Sequence, residues 1–347
     1  MIQKCLSFIL RSRLENVIAV TVSGSLLILF FTTRLFYRFG FGPLDFVFIM
    51  LPLGVLGVKS FLGLLLAPET ETEGNSDLLK FLAGYFQPLL KIVRDWFPFL
   101  LLSACYYSMG CNLVLRINPH TADATLAQID AFILGNQASF MLEPWIHPWL
   151  TDFLNVVYFS HLIFFPGVAL YFYLVKEENA FRRLMMGYLT IMLLGITTYM
   201  LIPATGPEKF FADRFTRDLQ GQTISRSVAY VISVGRVSYD CFPSLHIGIP
   251  LLLSFYLRDY RKKMFIPALI YVALMCCATI YLRYHYLIDV IGAFAYAPAA
   301  YFLNDFLLAH WPGERISGLS AEIEKRKHPL NTGSVETCDA GSSTRNN

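Results

Sequence analysis

Charge is what this sequence has least of. Only 15% of its 347 residues are Asp, Glu, Lys or Arg, where soluble domains carry roughly a quarter. Hydrophobic residues make up 55%, so the composition excludes an ordinary soluble domain and points to a polytopic membrane protein. Neither sign of charge dominates: 28 basic against 25 acidic residues leave a net +3, too weak a field to argue for nucleic acid. The seven cysteines (Cys5, Cys105, Cys111, Cys241, Cys276, Cys277 and Cys338) include no Cys-x-x-Cys pair. Most lie in apolar runs and read as small buried hydrophobes. There is no internal repeat and no Asn-x-Ser/Thr acceptor. The second absence fits a bacterial inner membrane, or a Golgi-type organelle that leaves the chain unglycosylated.

What the chain has instead is apolar runs of about 20 residues, the length that crosses a bilayer. They fall at 17–36, 41–67, 96–115, 151–175, 185–202, 244–257, 264–281 and 286–308. The sixth is short and the second carries Lys59, so the expected fold is an all-α membrane helical bundle of seven to eight spans. The first run is too long for a cleaved signal peptide and lacks a small-residue cleavage site; it reads as a retained anchor. Residues 78–96 suit a helix lying at the interface, and 118–149 a partly helical segment that skirts the membrane. Three regions result: N-terminal spans and interfacial helix over 1–96, a membrane domain carrying the chemistry over 97–310, and a disordered polar tail over 311–347. Most basic residues fall in one set of alternate connections, among them Arg11, Arg13, Arg94, Arg182, Arg183, Arg258, Arg261 and Lys262. The positive-inside rule assigns that set to the cytoplasm and the opposite helix ends to the periplasmic or lumenal face.

Those opposite ends hold residues that apolar helices avoid, in YDCFPSLHIGIP at 239–250 and YLRYHYLIDVIG at 281–292. Asp289 follows His285 by four positions, which on a helix places both side chains on one face, a turn apart. A carboxylate there accepts a hydrogen bond from one imidazole nitrogen and leaves the other free to attack or to take a proton. An Asp within a span costs about 2.5–3.5 kcal/mol on insertion scales, so Asp289 should be paired, and His285 is the evident partner. Pro243, Ser244, Leu245 and His246 read as a helix start, with proline at the first position and free N–H groups that favour an anion. The loop 203–240 contributes Lys209, Arg214, Arg217, Arg226 and Arg236. Binding of a phosphate explains so many cations on the outer side of a charge-poor chain; anchoring to lipid head groups is the plainer alternative.

The PSLH of 243–246 and the HYLID of 285–289 resemble the second and third signatures of the type 2 phosphatidate phosphatase superfamily, usually PSGH and SRxxxxxHxxxD. Leu245 in place of glycine, and the His-Tyr pair before the Asp, are closer to the branch of inositol phosphorylceramide and sphingomyelin synthases. The segment around Asp130 and Gly135 and the IPATGP stretch are similar to that branch too. The resemblance covers roughly residues 97–310. It implies that His285 is the nucleophile forming a phosphohistidine, that Asp289 orients it, and that His246 protonates the leaving oxygen and then deprotonates the acceptor. It implies no metal and no cofactor, since basic residues supply the charge stabilisation.

Two departures stand out. The first signature, KxxxxxxRP, is absent, with Lys209 the nearest candidate, and the arginine expected six residues before the nucleophile is Thr279, while Arg283 lies two before it. Phosphate contacts are therefore expected from Lys209, Arg236, Ser244 and Arg283. The reaction implied is transfer of a phospho-alcohol such as phosphoinositol from a phospholipid donor to a lipid or alcohol acceptor in the bilayer. Hydrolysis of a lipid phosphate or pyrophosphate is the alternative, because water can attack the same phosphoenzyme. A transporter or scaffold that kept the fold without the chemistry is a third class. A zinc site from His246, His285 and Asp289 is chemically open, although the basic loop disfavours it. His120, His147, His161, His310 and His328 have no acidic partner at helical spacing and read as structural or solvated. The two imidazoles of the site should face each other across a gap about one phosphoryl group wide.

Overall fold

An apolar chain in lipid must satisfy its backbone polar groups within each segment, which favours helices, and helices are what the chain forms. The structure, a computed structural model, describes residues 2–32, 50, 53–59, 61–63, 76–112, 114–222, 227, 230 and 237–327. Among them the only extended pairing is an isolated bridge between Ala204 and Asp240. Short α1 (Ile2–Arg11) leads into α2 (Leu14–Thr32), and α3 (Ser76–Asn112) is 37 residues long. After α4 (Asp123–Leu134), α5 (Pro148–Phe159) and α6 (His161–Leu174) meet at a 43° bend. The C-terminal half is built from α7 (Glu178–Leu201), α8 (Leu245–Tyr260), α9 (Lys262–Tyr281) and α10 (Leu287–His310). Two short helices, α11 (Pro312–Ser317) and α12 (Leu319–Lys327), close it.

Three of these helices, α7, α9 and α10, are long and apolar enough to cross a membrane, and the bent α5–α6 pair makes a fourth if it counts as one span. The seven to eight expected spans include runs that fall partly outside the described residues. The run at 244–257 became α8, whose 16 residues rise about 24 Å, short of a hydrocarbon core of about 30 Å. The run at 41–67 and the end of 17–36 lie largely outside the described residues. The expected interfacial helix at 78–96 and the span that follows are one continuous helix, α3, with Pro88 and Pro98 inside it. A helix therefore runs straight through the boundary expected at residue 96, where Trp96 is fully buried in the common core.

The expected tail is also shorter than the sequence suggests. Residues 312–327 are helical: Leu319 and Ile323, one turn apart, are buried, and Glu314 is fully buried. The average polarity of this stretch hides one apolar face and one paired carboxylate. Residues 328–347 lie outside the described residues.

α8 packs against α9 and α10, and α7 against α8 and α10. Aromatic rings interleave at the centre, with Phe165 stacked on Tyr188 at 4.0 Å and Trp96 edge-on to Phe99 at 6.0 Å. One end of this bundle is fastened by buried ions. Arg183 forks onto Asp305 through two bonds of 2.8 and 2.9 Å and reaches Asp259 at 2.7 Å. Its neighbour Arg182 joins Glu15 of α2 at 2.8 Å to Glu314 of α11 at 2.6 Å. Four helices are thus held by two consecutive arginines. Removing one partner of a buried ion pair strands the others, at about 3–5 kcal/mol. Arg183→Ala should lose stability on that scale in a detergent unfolding titration, and more than Arg258→Ala, whose side chain is half exposed.

Candidate active site

The opposite end of the bundle gathers the N-termini of α8 and α10. Ser244 caps α8 with an extended backbone, which puts His246 in the first turn. His285 lies in the turn before α10 and Tyr286 caps that helix. Asp289, the third residue of α10, accepts the Tyr286 amide at 2.8 Å and faces His285 Nδ1 at 3.2 Å with the same oxygen. One carboxylate therefore closes a capping box and orients an imidazole. The next two amides, Leu287 and Ile288, donate to Asp130 of α4 at 2.7 and 2.9 Å. With carboxylates on all three amides, the start of α10 has little left to offer a phosphate.

From His285 the polar chain continues outward. Its Nε2 lies 3.2 Å from His246 Nδ1, and His246 Nε2 lies 3.0 Å from the Tyr158 hydroxyl. One set of tautomers satisfies every contact: His285 donates to Asp289, His246 donates to His285, and Tyr158 donates to His246. His285 and Asp289 are buried, His246 partly so. The two imidazoles from distant parts of the chain thus touch directly, where the sequence led us to expect an open gap.

Cys241 completes the buried end. Its thiol donates to Asp289 Oδ2 at 2.9 Å and sits 3.6 Å from His285 Nδ1. Burial, then the charge and hydrogen bond of Asp289, push the thiol well above its ordinary range, so it remains protonated. Cys241, His285 and Asp289 are also a cluster with metal-type donors, their ligand atoms within 4.8 Å of one another. An ion there would break the His285–Asp289 hydrogen bond, so the set serves as a relay or as a metal site, not both.

A second buried carboxylate, Asp123, fixes the PATGP turn. It accepts the amides of Thr205 and Gly206 and the Tyr286 hydroxyl, at 2.9–3.0 Å. Gly206 has φ +88°, and a Cβ there would stand 2.5 Å from the Tyr284 carbonyl oxygen, so only glycine fits. Leu245, which replaces the glycine of the usual PSGH, has a matching vacancy: a Cβ on Gly195 of α7 would fall 2.6 Å from its side chain.

The expected phosphate ligands are less well assembled. Ser244 is fully buried with its hydroxyl unpartnered among the described residues. Arg283, at φ +65°, points elsewhere: it binds Glu143 at 3.1 Å and the Arg217 carbonyl at 2.6 Å, above the Phe215 ring. The guanidinium is held by a carboxylate and a ring because burial makes a bare cation costly there. Lys209 lies exposed on the short turn Pro207–Phe210, without an ion pair among the described residues. Arg236 lies outside the described residues. Sequence reasoning missed Tyr158, Cys241, Asp123 and Glu143. His161, read from the sequence as structural or solvated, stands with its ring edge-on to His246 at 4.4 Å.

Fold and site together define a helical membrane protein with an Asp–His–His relay at one end of its bundle. A family model described as PAP2 superfamily matches residues 125–303, just over half of the chain, and the chain belongs to that superfamily. Its members are phosphatases and phosphotransferases acting on phosphate esters. The match spans His246, His285, Asp289 and Asp130. No curated protein and no solved structure matches the chain.

Two consequences can be measured. Asp130→Ala deprives two half-buried amides of their acceptor, at up to about 1–3 kcal/mol each, and should lower thermal stability in detergent more than Asp130→Asn. Burial raises the Glu143 carboxyl, but hydrogen bonds from Thr216 and Arg217 and the charge of Arg283 outweigh it and hold the group below its ordinary range. A lowered folded value stabilises above the ordinary carboxylate range and is lost as pH falls through that value. The melting-temperature gap between wild type and Glu143→Gln should be present at neutral pH and close in acid.

Proposed function

We propose that the chain is a membrane lipid phosphotransferase, moving a phospho-alcohol head group of the inositol phosphate kind from a phospholipid to a lipid hydroxyl. The observation that carries this reading is the continuous relay Asp289–His285–His246, which ends at the mouth of an apolar cavity. That cavity has a volume of about 130 Å³ and is lined by His161 and His246 together with Phe99, Phe164, Phe165 and Met192. It suits an alkyl chain whose polar end rests on His246. A cavity for a second lipid favours an alcohol over water as the acceptor, and the absent first signature points the same way.

In the first step His246 enters as the imidazolium, protonated on both nitrogens; His285 Nε2 attacks phosphorus, the bond to the leaving oxygen breaks, and His246 gives that oxygen a proton and becomes neutral. In the second, the acceptor hydroxyl gives its proton to His246 and attacks phosphorus, and the P–N bond breaks. Asp289 keeps the Nδ1 proton of His285 and stabilises the imidazolium that forms. A phosphoryl group enters only if the His246 ring swings away from His285, and the adjacent cavity leaves room for it. Ser244 is placed to donate to the phosphate, while Arg283 would first have to release Glu143. The buried and basic ends of α7, α8 and α9, at Arg182, Arg183, Arg258, Arg261 and Lys262, lie opposite the histidines, which supports a periplasmic or lumenal site in a bundle of seven to eight spans.

The test is turnover by purified protein in nanodiscs containing head-group-labelled phosphatidylinositol and a panel of lipid acceptors, followed by mass spectrometry of the lipids. We expect labelled product lipid, none from His285→Ala, and rates about 10²–10⁴-fold lower for His246→Ala. Phosphate release without an acceptor would make the protein a lipid phosphatase, and undiminished turnover by His285→Ala would remove the nucleophile.

A further inference from the structure

A second cavity, about 750 Å³, lies at the other end of the bundle and is lined by residues of α7, α8, α9, α10 and α12. Its polar lining is Arg183, Arg258, Lys262 and Lys325 against Asp259 and Asp305, with Tyr301 between them. Both carboxylates are committed to Arg183, which is 2% exposed. Three cations remain to set the field at the mouth. Arg258 touches Asp259 only at 3.3 Å and its side chain is 48% exposed. Lys262 and Lys325 are exposed and have no ion pair among the described residues.

The rest of the wall is apolar: Phe255, Pro298, Phe302 and Ile323. Phe302 is 65% exposed on a helix long and apolar enough to span the membrane. A rim of cations above such a wall matches an amphiphile with a negative head and a hydrocarbon body. A free anion would use the rim and leave the wall bare. From His246 to Arg258 along α8 is twelve residues, about 18 Å, too far for one head group to touch both sites. We propose that this cavity holds the head group of an anionic phospholipid of the cytoplasmic leaflet, its acyl chains lying along Phe302. The site is distinct from the one that performs the chemistry.

A photoreactive phenylalanine analogue at position 302 tests this in nanodiscs of mixed phosphatidylglycerol and phosphatidylcholine. Crosslinked lipid should be enriched in phosphatidylglycerol over the bulk mixture. The enrichment should fall roughly five-fold for each cation removed, in Lys262→Gln, in Lys325→Gln and in the double variant, which keep the Arg258 contacts intact. Arg258→Ala extends the series, and the lysine variants decide the matter if it misfolds. A crosslinking ratio equal to the bulk overturns the proposal. So does enrichment that survives both lysine substitutions, or that millimolar inorganic phosphate abolishes, since the site would then read phosphate alone. The His285→Ala background gives the same crosslinking if the two sites are separate, so this result stands whether or not the phosphotransferase reading holds.

Discussion

One oxygen of Asp289 holds the histidine end of this protein together. It ties the first turn of α10 to the preceding turn and fixes the ring of His285. A charge in that setting is costly unless it is surrounded by donors, and here the surroundings are supplied by an imidazole, an amide and a thiol. The same three donors that make the carboxylate affordable also leave it no freedom to turn. The direction in which His285 presents its far nitrogen is therefore a property of the helix start and not of the side chain alone.

The rest of the structure positions His246 against that nitrogen. α8 must begin level with α10, and it does so because the Ser244 amide bonds the Asp289 carbonyl at 3.1 Å, so the two helix starts are stitched at the backbone. Behind them, Asp130 and Asp123 reach in from α4 to hold the turn at 285–288 and the PATGP strap. At the far end, the paired arginines of α7 clamp α2, α8, α10 and α11. The bundle is pinned at both ends by ions, with aromatic packing between.

How much of this was legible depended on whether the signal was local. The His285–Asp289 pair and the proline-led start at 243 are short-range patterns, readable from spacing alone. The contact between His246 and His285 spans 39 residues, and only the family likeness of PSLH and HYLID suggested it. Asp123, Cys241 and Tyr158 gave no local signal, because each acts on a partner more than 40 residues away. Counting apolar runs did not separate a bent pair or a 16-residue helix from a full crossing, since hydropathy carries no geometry. It also failed at 312–327, where two apolar side chains and one buried carboxylate fold a stretch that reads as polar. The Glu143 partner of Arg283 was hidden for a related reason: it lies 140 positions away.

The fit of Leu245 against Gly195 has a consequence for how such a chain can vary. A leucine in the signature motif is accommodated only because the facing helix has given up its side chain at that level. The two positions are coupled: a methyl on α7 would have to push the Leu245 isobutyl group aside, and a smaller residue on α8 leaves a hollow beside the relay. The two sites carry a single degree of freedom, and a lineage that restores glycine to the motif is free to refill the opposite helix.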